Sequence, residues 1–310
     1  MKSWKNKPLG IVGFGAQAKA WAMNYRDAGY HVAIILRSGS SNHETATQMG
    51  FETVAFDSPV LKTLEIICLL TPDDTHKDII NKLKSQIKEQ ATLIYAHGYS
   101  FERDQLAKSY PQYSHLLLAP KAIASEVRFR FETKKNIMAA FSLEAAQDWN
   151  EAQIKEFAQN FGFNKLISTS FAEEAKADLF SEQSLLCSLI PYGALHSYNK
   201  LREEGVNKQL AFIECWMEVL LIAKAMVEHG PEGLFNLISP NALIGGEKAV
   251  STLFDDAFLK KLDQMKEDIW SGRFYNHVDE TDFTKLKEEV LDFWKNQEIQ
   301  SVYNNLKDDL

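Results

Sequence analysis

Short apolar runs that alternate with helix-like stretches fill the first half of this chain, and they constrain its fold more than any other feature. The six strand-length runs are residues 9–14, 31–36, 65–70, 91–96, 115–119 and 136–142. The helix-like stretches among them are residues 17–28, 73–90, 102–109 and 145–159. Strand, helix and strand at this spacing are typical of a parallel sheet that is covered by helices on both faces. The pattern predicts a Rossmann-like, doubly wound α/β domain.

The pattern changes near residue 170, where the strand-length runs end and long helical patterns begin. These patterns cover residues 172–189, 193–204, 208–228, 257–271 and 284–295. A chain of 310 residues is long enough for two domains. We therefore expect an α/β domain over residues 1–170 and an all-α domain over residues 171–310.

The net charge and the apolar segments argue against two classes of partner. A formal net charge of −8 does not favour a nucleic-acid-binding surface or a basic membrane-binding patch. The N-terminal stretch lacks the long apolar region of a signal peptide, and no apolar run is as long as a bilayer span. Cys68, Cys187 and Cys215 lie among apolar neighbours without metal-binding spacing, and they are expected to be buried free thiols. A soluble, cytoplasmic protein is expected.

The first apolar run ends in a glycine turn, Gly13-Phe14-Gly15-Ala16-Gln17-Ala18, which matches the GxGxxG/A pattern. Gly13 permits the tight turn, and Gly15 lets the backbone approach a pyrophosphate at the N-terminus of the next helix. The turn follows a strand and opens a helix, which is the context that this motif needs. Dinucleotide binding is therefore predicted. A glycine turn that serves only strand–helix packing is the alternative.

The segment after the second run indicates which dinucleotide binds. An NAD site usually carries an acid here, which binds the ribose hydroxyls. This chain instead has Arg37-Ser38-Gly39-Ser40-Ser41, and an arginine can form a paired, charge-assisted contact with a phosphate. NADP(H) is therefore favoured over NAD(H), unless Arg37 is only a solvated surface charge.

Polar residues follow three more of the apolar runs, at the edge of the sheet where ligands bind. The segments are Leu70-Thr71-Pro72-Asp73-Asp74, His97-Gly98 and Pro120-Lys121. An aspartate of the first segment is expected to cap the next helix. A single His or Lys at a strand end is more often structural than catalytic. His97 and Lys121 above one cleft would instead indicate a reactive site.

Two pairs of carboxylates in the helical half are spaced four residues apart, which places each pair on one helix face. Asp178 and Glu182 form one pair, and Glu214 and Glu218 form the other, within a stretch 212–227 that is expected to be the most buried helix. Like charges at this spacing destabilise a helix, and a buried unpaired carboxylate costs several kcal/mol. Oxygen ligands suit Mg²⁺ or Mn²⁺, and four acids suit a two-metal site. Acids that face water on amphipathic helices are the alternative.

These segments resemble the ketol-acid reductoisomerase family, also called acetohydroxyacid isomeroreductase, in order and over nearly the whole chain. The resemblance is carried by GFGAQAKAWAMNYRDAGYHVAIILRSGSS, LTPDDTHKDI, AHGYS, LLAPKAIASEVR, FAEEAKADLFSEQSLLC, AFIECWMEVLLI, ISPNALIGG and DIWSGRFYNHVDE. It implies a knotted helical domain, a homodimer or higher homo-oligomer, and an NADPH- and Mg²⁺-dependent enzyme of branched-chain amino-acid biosynthesis. The implied reaction is an alkyl migration followed by hydride reduction of a 2-hydroxy-2-alkyl-3-keto acid of the 2-acetolactate type.

The resemblance also implies roles for individual residues. Asp178 would bridge two Mg²⁺ ions and Glu182 would bind one, while Glu214 and Glu218, contributed across a dimer interface, would serve the second metal. The implied catalytic residues are His97, Lys121, Glu174, Glu218 in proton transfer, and Ser239 on the substrate carboxylate. The expected contacts to NADPH are Gly13, Phe14, Gly15, Ala16, Gln17, Arg37, Ser38, Ser40, Ser41, Leu70, Thr71, Pro72, Asp73 and His97.

Several positions around these residues depart from the family pattern. They are residues 122–126, 188–189, 217, 220 and 240–241. A divergent reductoisomerase is expected, and two alternatives stay open: a paralogue that reduces another keto or hydroxy-keto acid, and a non-catalytic NADP-binding protein. A metal-independent β-hydroxyacid dehydrogenase would share the two-domain layout but would leave the four acids unexplained.

Overall fold

The computed structural model describes residues 7–144 and 149–308 of the chain. The chain divides into two compact units, Met1–Lys176 and Ala177–Leu310. Within the described ranges, no helix has both the length and the apolar character that a membrane span requires.

An eight-stranded sheet forms the centre of the first unit. Its strands are β1 (Leu9–Val12), β2 (Val32–Ile35), β3 (Glu52–Val54), β4 (Ile66–Leu69), β5 (Thr92–Tyr95), β6 (Ser114–Pro120), β7 (Met138–Glu144) and β8 (Lys165–Ser168). Their order across the sheet is β3-β2-β1-β4-β5-β6-β7-β8. Neighbouring strands run parallel, except that β7 is antiparallel to β6.

Among the described residues, seven α-helices flank this sheet. They are α1 (Ala16–Asp27), α2 (Asn42–Gln48), α3 (His76–Leu83), α4 (Tyr99–Arg103), α5 (Leu106–Ser109), α6 (Ala124–Glu132) and α7 (Glu151–Gln159). Alternate residues of β1 enter two different apolar cores, with Leu9 and Ile11 in one and Val12 in the other. Both faces of the sheet are therefore covered, as parallel strands require. The predicted doubly wound α/β domain is confirmed.

Two helices of this unit differ from their predicted ranges. The predicted helix 73–90 is regular only up to Leu83. The predicted helix 102–109 is divided into α4 and α5, because Gln105 adopts a left-handed conformation with φ 52°. Such a backbone conformation interrupts an α-helix, and no sequence pattern around Gln105 predicts it.

The starts of α3 and α7 also bear on the predictions. The predicted aspartate cap before α3 is wrong, because the residue at that position is Thr75 and its side chain makes no capping hydrogen bond. Residues 145–148 of the predicted helix 145–159 lie outside the described residues. The described part begins at Glu151, behind a capping box formed by Asn150 and Gln153.

The strand order reverses between β2 and β4, which lie on opposite sides of β1. Ligands of doubly wound sheets bind beyond the carboxyl ends of the strands at this switch point. The glycine turn follows β1 directly, and Leu70 and Thr71 follow β4. Leu70 N–H donates to Val12 O at 3.1 Å, which aligns these two strand ends.

The described residues of the second unit form helices only, as predicted. α8 (Phe171–Ser181) leads into it, and it contains α9 (Leu189–Glu203), α10 (Lys208–Phe212), α11 (Glu218–Leu237), α12 (Pro240–Leu253), α13 (Asp256–Trp270), α14 (Arg273–Glu280), α15 (Phe283–Lys295) and α16 (Glu298–Leu306). Its apolar core is small and includes Leu195, Tyr198, Phe212, Ile299 and Val302. α11 is interrupted at Gly230, where φ is 69°, and Pro231 restarts it.

The four predicted metal ligands of the second unit lie in or next to two π-helical turns. One turn covers Glu182–Leu186 and follows α8, and the other covers Ile213–Met217 and joins α10 to α11. In the first turn, Cys187 N–H donates to Glu182 O at 2.9 Å, five residues back. Turns of this kind are frequent at functional sites, because the wider turn redirects side chains.

The sequence predicts that the stretch 212–227 is the most buried helix, and this prediction is wrong. Phe212 is buried, but Leu220, Leu221 and Val227 are 66%, 61% and 86% exposed. The prediction is wrong, because most apolar side chains after Phe212 are not covered by other described residues of the chain. The prediction that all three cysteines are buried is also wrong, since Cys187 is exposed and Cys215 is half-buried.

Candidate active site

A buried carboxylate, Glu174, connects the two predicted catalytic residues of the first unit. It lies in the first turns of α8 and is 4% exposed. Its Oε1 accepts from Lys121 Nζ at 2.6 Å, and its Oε2 lies 2.8 Å from His97 Nδ1 and accepts from Gly98 N–H at 2.7 Å. His97 and Lys121 follow β5 and β6, so two strand ends and one helix converge on a single carboxylate.

The ionisation of Glu174 determines the tautomer of His97. Burial would raise the pKa of Glu174, but the hydrogen bonds and positive charges from His97 and Lys121 lower it to about 2. Glu174 is therefore ionised near neutral pH and can only accept hydrogen bonds. His97 consequently donates a hydrogen bond from Nδ1–H to Glu174, whether or not Nε2 is also protonated.

Gly98 allows α4 to lie directly against the start of α8. A Cβ at this position would lie 2.2 Å from Phe171 O and 3.1 Å from Glu174 Oε2. No side chain fits there without movement of the backbone. The absence of a Cβ thus brings the Gly98 N–H within reach of Glu174.

The glycine turn has the geometry that a dinucleotide requires. Gly13 has a φ of 93°, and a Cβ on it would lie 2.8 Å from Thr71 Cγ2. Gly15 precedes α1 with a φ of −74°, and a Cβ on it would meet no atom within 4 Å. Packing inside the chain therefore explains the glycine at position 13 but not the one at position 15. Open space at Gly15 fits the close approach of a pyrophosphate.

The other residues of the turn are placed differently. The Phe14 side chain is 1% exposed and packs on Phe51 with ring centroids 5.8 Å apart, so only its backbone can contact a cofactor. Ala16 is exposed at the start of α1. Gln17 Nε2 donates to Ala122 O at 3.3 Å, which links the glycine turn to the residue after Lys121. Gln17 Oε1 is buried and has no hydrogen-bond donor among the described residues.

The loop after β2 exposes the predicted phosphate-binding residues. Arg37, Ser38 and Ser41 are exposed, and Ser40 is half-buried. The carbonyl of Arg37 accepts from Ser40 N–H at 3.1 Å and lies 3.2 Å from His43 Nε2, which fixes the backbone of the loop. The guanidinium of Arg37 has no ion pair with an acid among the described residues.

The loop after β4 is held by a network that sequence reasoning missed. Thr75 Oγ1 donates to Pro72 O at 2.6 Å and bonds Thr71 Oγ1 at 2.9 Å. His76 lies 3.1 Å from Thr71 O through Nε2 and 2.7 Å from the fully buried Ser100 Oγ through Nδ1. Burial lowers the pKa of His76, which favours the neutral ring. The surface-like composition of the segment 73–77 contains no signal that His76 is buried.

The four predicted metal ligands are brought together only in pairs. Asp178 lies one turn after Glu174 on the continuous helix α8, and Glu182 begins the π turn that follows. Glu214 and Glu218 are exposed in the second π turn and at the start of α11. Among the described residues, no three of these four acids bring their carboxylate oxygens into one cluster. Glu214 and Glu218 form no ion pair with Lys or Arg in the described ranges.

Ser239 is exposed at the N-terminus of α12, although the sequence suggests a loop at this point. Its Oγ accepts from Ala242 N–H at 3.4 Å, as an N-cap. The hydroxyl proton remains available for donation to an acceptor outside the chain. A helix N-terminus favours a negatively charged ligand.

A Rossmann-like sheet with a glycine turn at its switch point, followed by an all-helical unit that carries acids, defines a two-domain NAD(P)-dependent oxidoreductase. The family model for the acetohydroxy acid isomeroreductase NADPH-binding domain matches residues 3–166. The model for the ketol-acid reductoisomerase C-terminal domain matches residues 171–310. The chain belongs to the ketol-acid reductoisomerase family, whose members are oxidoreductases and isomerases.

Individual relatives agree with this assignment. The ketol-acid reductoisomerase (NADP(+)) of Clostridioides difficile strain 630 is 30% identical, over 98% of this chain and 93% of its own length. That of Helicobacter acinonychis strain Sheeba is 30% identical, over 86% of this chain and 81% of its own. The solved structure of an NADH-preferring ketol-acid reductoisomerase from an uncultured archean superposes with a TM-score of 0.87 at 22% identity, over 98% of this chain and 94% of that one.

Proposed function

We propose that this protein is an NADPH- and Mg²⁺-dependent ketol-acid reductoisomerase that acts on a 2-hydroxy-2-alkyl-3-keto acid of the 2-acetolactate type. It would serve branched-chain amino-acid biosynthesis in the cytoplasm. The observation that supports this most directly is the Glu174 carboxylate, which joins His97 and Lys121 and lies one helical turn before Asp178. The carboxylate that contacts both proton-transferring groups and a candidate metal ligand thus lie on one helix.

The choice of NADPH is supported by the loop after β2. The family includes a solved NADH-preferring structure, so family membership alone does not decide between the two cofactors. Arg37 is exposed, and Ser38, Ser40 and Ser41 supply hydroxyls beside it. A guanidinium with adjacent hydroxyls suits the 2′-phosphate of NADPH, whereas NADH offers no charge to pair with it.

The requirement for Mg²⁺ is supported by the chemistry of the donor atoms. Asp178, Glu182, Glu214 and Glu218 offer only carboxylate oxygens, which hard divalent cations prefer. Glu214 and Glu218 lie one turn apart with no cationic partner in the described residues, so their mutual repulsion is uncompensated within one chain. A divalent ion would remove that repulsion.

The remaining acids would come from a second copy of the chain. The four carboxylates do not converge among the described residues of one chain, and α11, which Glu218 begins, is exposed along its apolar length. An exposed apolar helix surface of this extent is typical of an oligomer interface. We propose a homodimer, or a higher homo-oligomer, in which the partner's copies of Glu214 and Glu218 complete the metal site.

The proposed reaction has two steps. The alkyl group leaves C2 and bonds to C3, so that the C2 hydroxyl becomes a ketone and the C3 ketone becomes a hydroxyl; hydride addition at C2 then gives a 2,3-dihydroxy acid. Bound Mg²⁺ would polarise the ketone oxygens and stabilise developing negative charge, and NADPH would supply the hydride.

The residues of the chain would bind the substrate and move its protons. His97 donates a hydrogen bond from Nδ1–H to Glu174. Nε2 is therefore the ring nitrogen that can accept or return a proton. Lys121, ion-paired with Glu174, would donate a hydrogen bond to a substrate oxygen. Ser239 would bind the substrate carboxylate at the N-terminus of α12, and Glu218 would serve proton transfer from the partner copy.

The deciding experiment is an assay of the purified protein with 2-acetolactate and NADPH, with Mg²⁺ and after treatment with EDTA. We expect NADPH oxidation with Mg²⁺ and none after EDTA. Asp178→Asn should abolish turnover, while the matched control Asp292→Asn, in an exposed acid of α15, should leave it unchanged. Turnover that survives EDTA or Asp178→Asn would refute the metal assignment. Oxidation of NADPH only with other keto acids would instead favour a paralogue with a different substrate.

A further inference from the structure

His76 is a buried histidine whose ring bridges two loops of the first unit. It is the first residue of α3 and is 3% exposed. Its Nε2 lies 3.1 Å from the carbonyl oxygen of Thr71, which can only accept a hydrogen bond. Nε2 therefore carries the proton, and Nδ1 of the neutral ring accepts from the Ser100 hydroxyl at 2.7 Å.

One of these partners belongs to the loop that packs against the glycine turn. Thr71 follows β4, and its Cγ2 would lie 2.8 Å from a Cβ placed on Gly13. The loop is thus in close contact with the turn that is expected to bind the pyrophosphate. A displacement of Thr71 changes the wall of that turn.

The other partner belongs to the helix that holds the catalytic cluster. Ser100 lies in the first turn of α4, and Gly98, immediately before this helix, donates its N–H to Glu174 at 2.7 Å. Gly98 also packs against Phe171 at the start of α8. α4 is therefore fixed on one side by Glu174 and on the other by His76. Its contact with His76 is made by Ser100, which lies only three residues after His97.

We propose that His76 is a positioning residue that couples the cofactor loop after β4 to the His97–Glu174–Lys121 cluster. The proposal rests on the proposed function, because it assigns NADPH to the glycine turn. His76 contacts neither the reacting groups nor, in this assignment, the cofactor. It acts by holding the backbone of Thr71 and the first turn of α4 at a set separation.

A second buried histidine offers a matched control. His115 is fully buried in β6 and also uses both ring nitrogens, with Nδ1 2.9 Å from Tyr95 Oη and Nε2 3.1 Å from Tyr110 O. Its position is the second residue of β6, at the opposite end of the strand from Lys121. Replacement of either histidine by Phe removes two hydrogen bonds from the same kind of environment, but only His76 lies between the two loops.

The test compares NADPH affinity, KM and kcat for the wild type, His76→Phe, Ser100→Ala, the double variant and His115→Phe. His76→Phe should weaken NADPH binding roughly three- to tenfold and lower kcat, because it releases both the cofactor loop and α4. Ser100→Ala should lower kcat with a smaller effect on NADPH binding, and the double variant should match His76→Phe alone. His115→Phe should lower the melting temperature and leave the NADPH dissociation constant within about twofold of the wild type.

His76→Gln tests the same bridge if the Phe variant does not fold. The amide keeps a donor for Thr71 O, so it should restore NADPH affinity relative to His76→Phe. The proposal is overturned if His76→Phe and His115→Phe change NADPH affinity equally, or if the effects of His76→Phe and Ser100→Ala on kcat simply multiply. Failure of the wild type to bind NADPH would refute the proposed function itself. Intact wild-type binding with an unaffected His76→Phe variant refutes the coupling alone.

Discussion

Replacement of Glu174 by Gln removes the charge at the centre of the catalytic cluster and keeps its size. The pKa of Glu174 falls from its ordinary value of 4.5 to about 2 in the folded protein. At about 1.36 kcal/mol per unit, the ionised form stabilises the fold by about 3 kcal/mol at neutral pH. Glu174→Gln should therefore lower the free energy of unfolding by about this amount and should also strongly reduce turnover, because His97 loses its anionic partner.

The pH dependence distinguishes this charge effect from a packing effect. The folded-state pKa of Glu174 is depressed, so the stabilisation is present above the unfolded-state value near 4.5 and is lost as the pH falls towards 2. By pH 3.5 about 1.4 kcal/mol of it should be gone. Urea unfolding of the wild type and of Glu174→Gln should give free energies that approach each other between pH 6 and pH 3.5.

Glu173 supplies the control for this series. It is an exposed neighbour on the same helix, where its carboxylate accepts from Thr169 Oγ1 at 2.6 Å. Glu173→Gln should change the stability by less than about 1 kcal/mol at every pH. If the difference between the wild type and Glu174→Gln is the same at pH 3.5 as at pH 6, the ion pairs do not determine the ionisation of Glu174 and the reasoning is refuted.

Three further predictions test the cofactor site and the assembly. Arg37→Asp should weaken NADPH binding roughly tenfold or more while NADH binding changes little, as measured by titration of both; equal losses would exclude a phosphate contact. Gly15→Ala should weaken NADPH binding and leave the melting temperature unchanged, since its Cβ meets no protein atom. Gly98→Ala should instead destabilise the protein, because its Cβ would lie 2.2 Å from Phe171 O. Val227→Glu, at a position 86% exposed in one chain, should dissociate the oligomer in light-scattering measurements, and an unchanged mass would show that this helix face is not an interface.

The fold of the first unit could be predicted from the sequence because its patterns are local. The glycine turn, the strand before it and the helix after it lie within one continuous stretch, and buried strands of a parallel sheet are recognisable as apolar runs. The break at Gln105 and the uncapped start of α3 were not accessible in this way. They depend on backbone conformations that several residue types can adopt when the surrounding packing favours them.

The candidate site was predictable as a set of residues and not as a set of contacts. The resemblance predicted Glu174, His97 and Lys121 as site residues. The hydrogen bond between His97 and Glu174, however, joins positions 77 residues apart, and no sequence-spacing rule predicts such a contact. His76 was missed because a histidine in a polar segment looks like a surface residue. The exposure of stretch 212–227 escaped prediction for a different reason, since apolar sequence indicates that a helix will be covered but not by which chain. The knot implied by the family stays a prediction.

The continuity of α8 through Glu174 and Asp178 has a consequence for how this protein can diverge. A single inserted or deleted residue between the two would rotate everything beyond it by about 100° about the helix axis. Asp178 and Glu182 would then face away from the side of the helix that carries Glu174. The spacing of residues in this segment therefore constrains the site more tightly than the identity of neighbours such as Ser188 and Met217, whose replacement leaves that spacing unchanged.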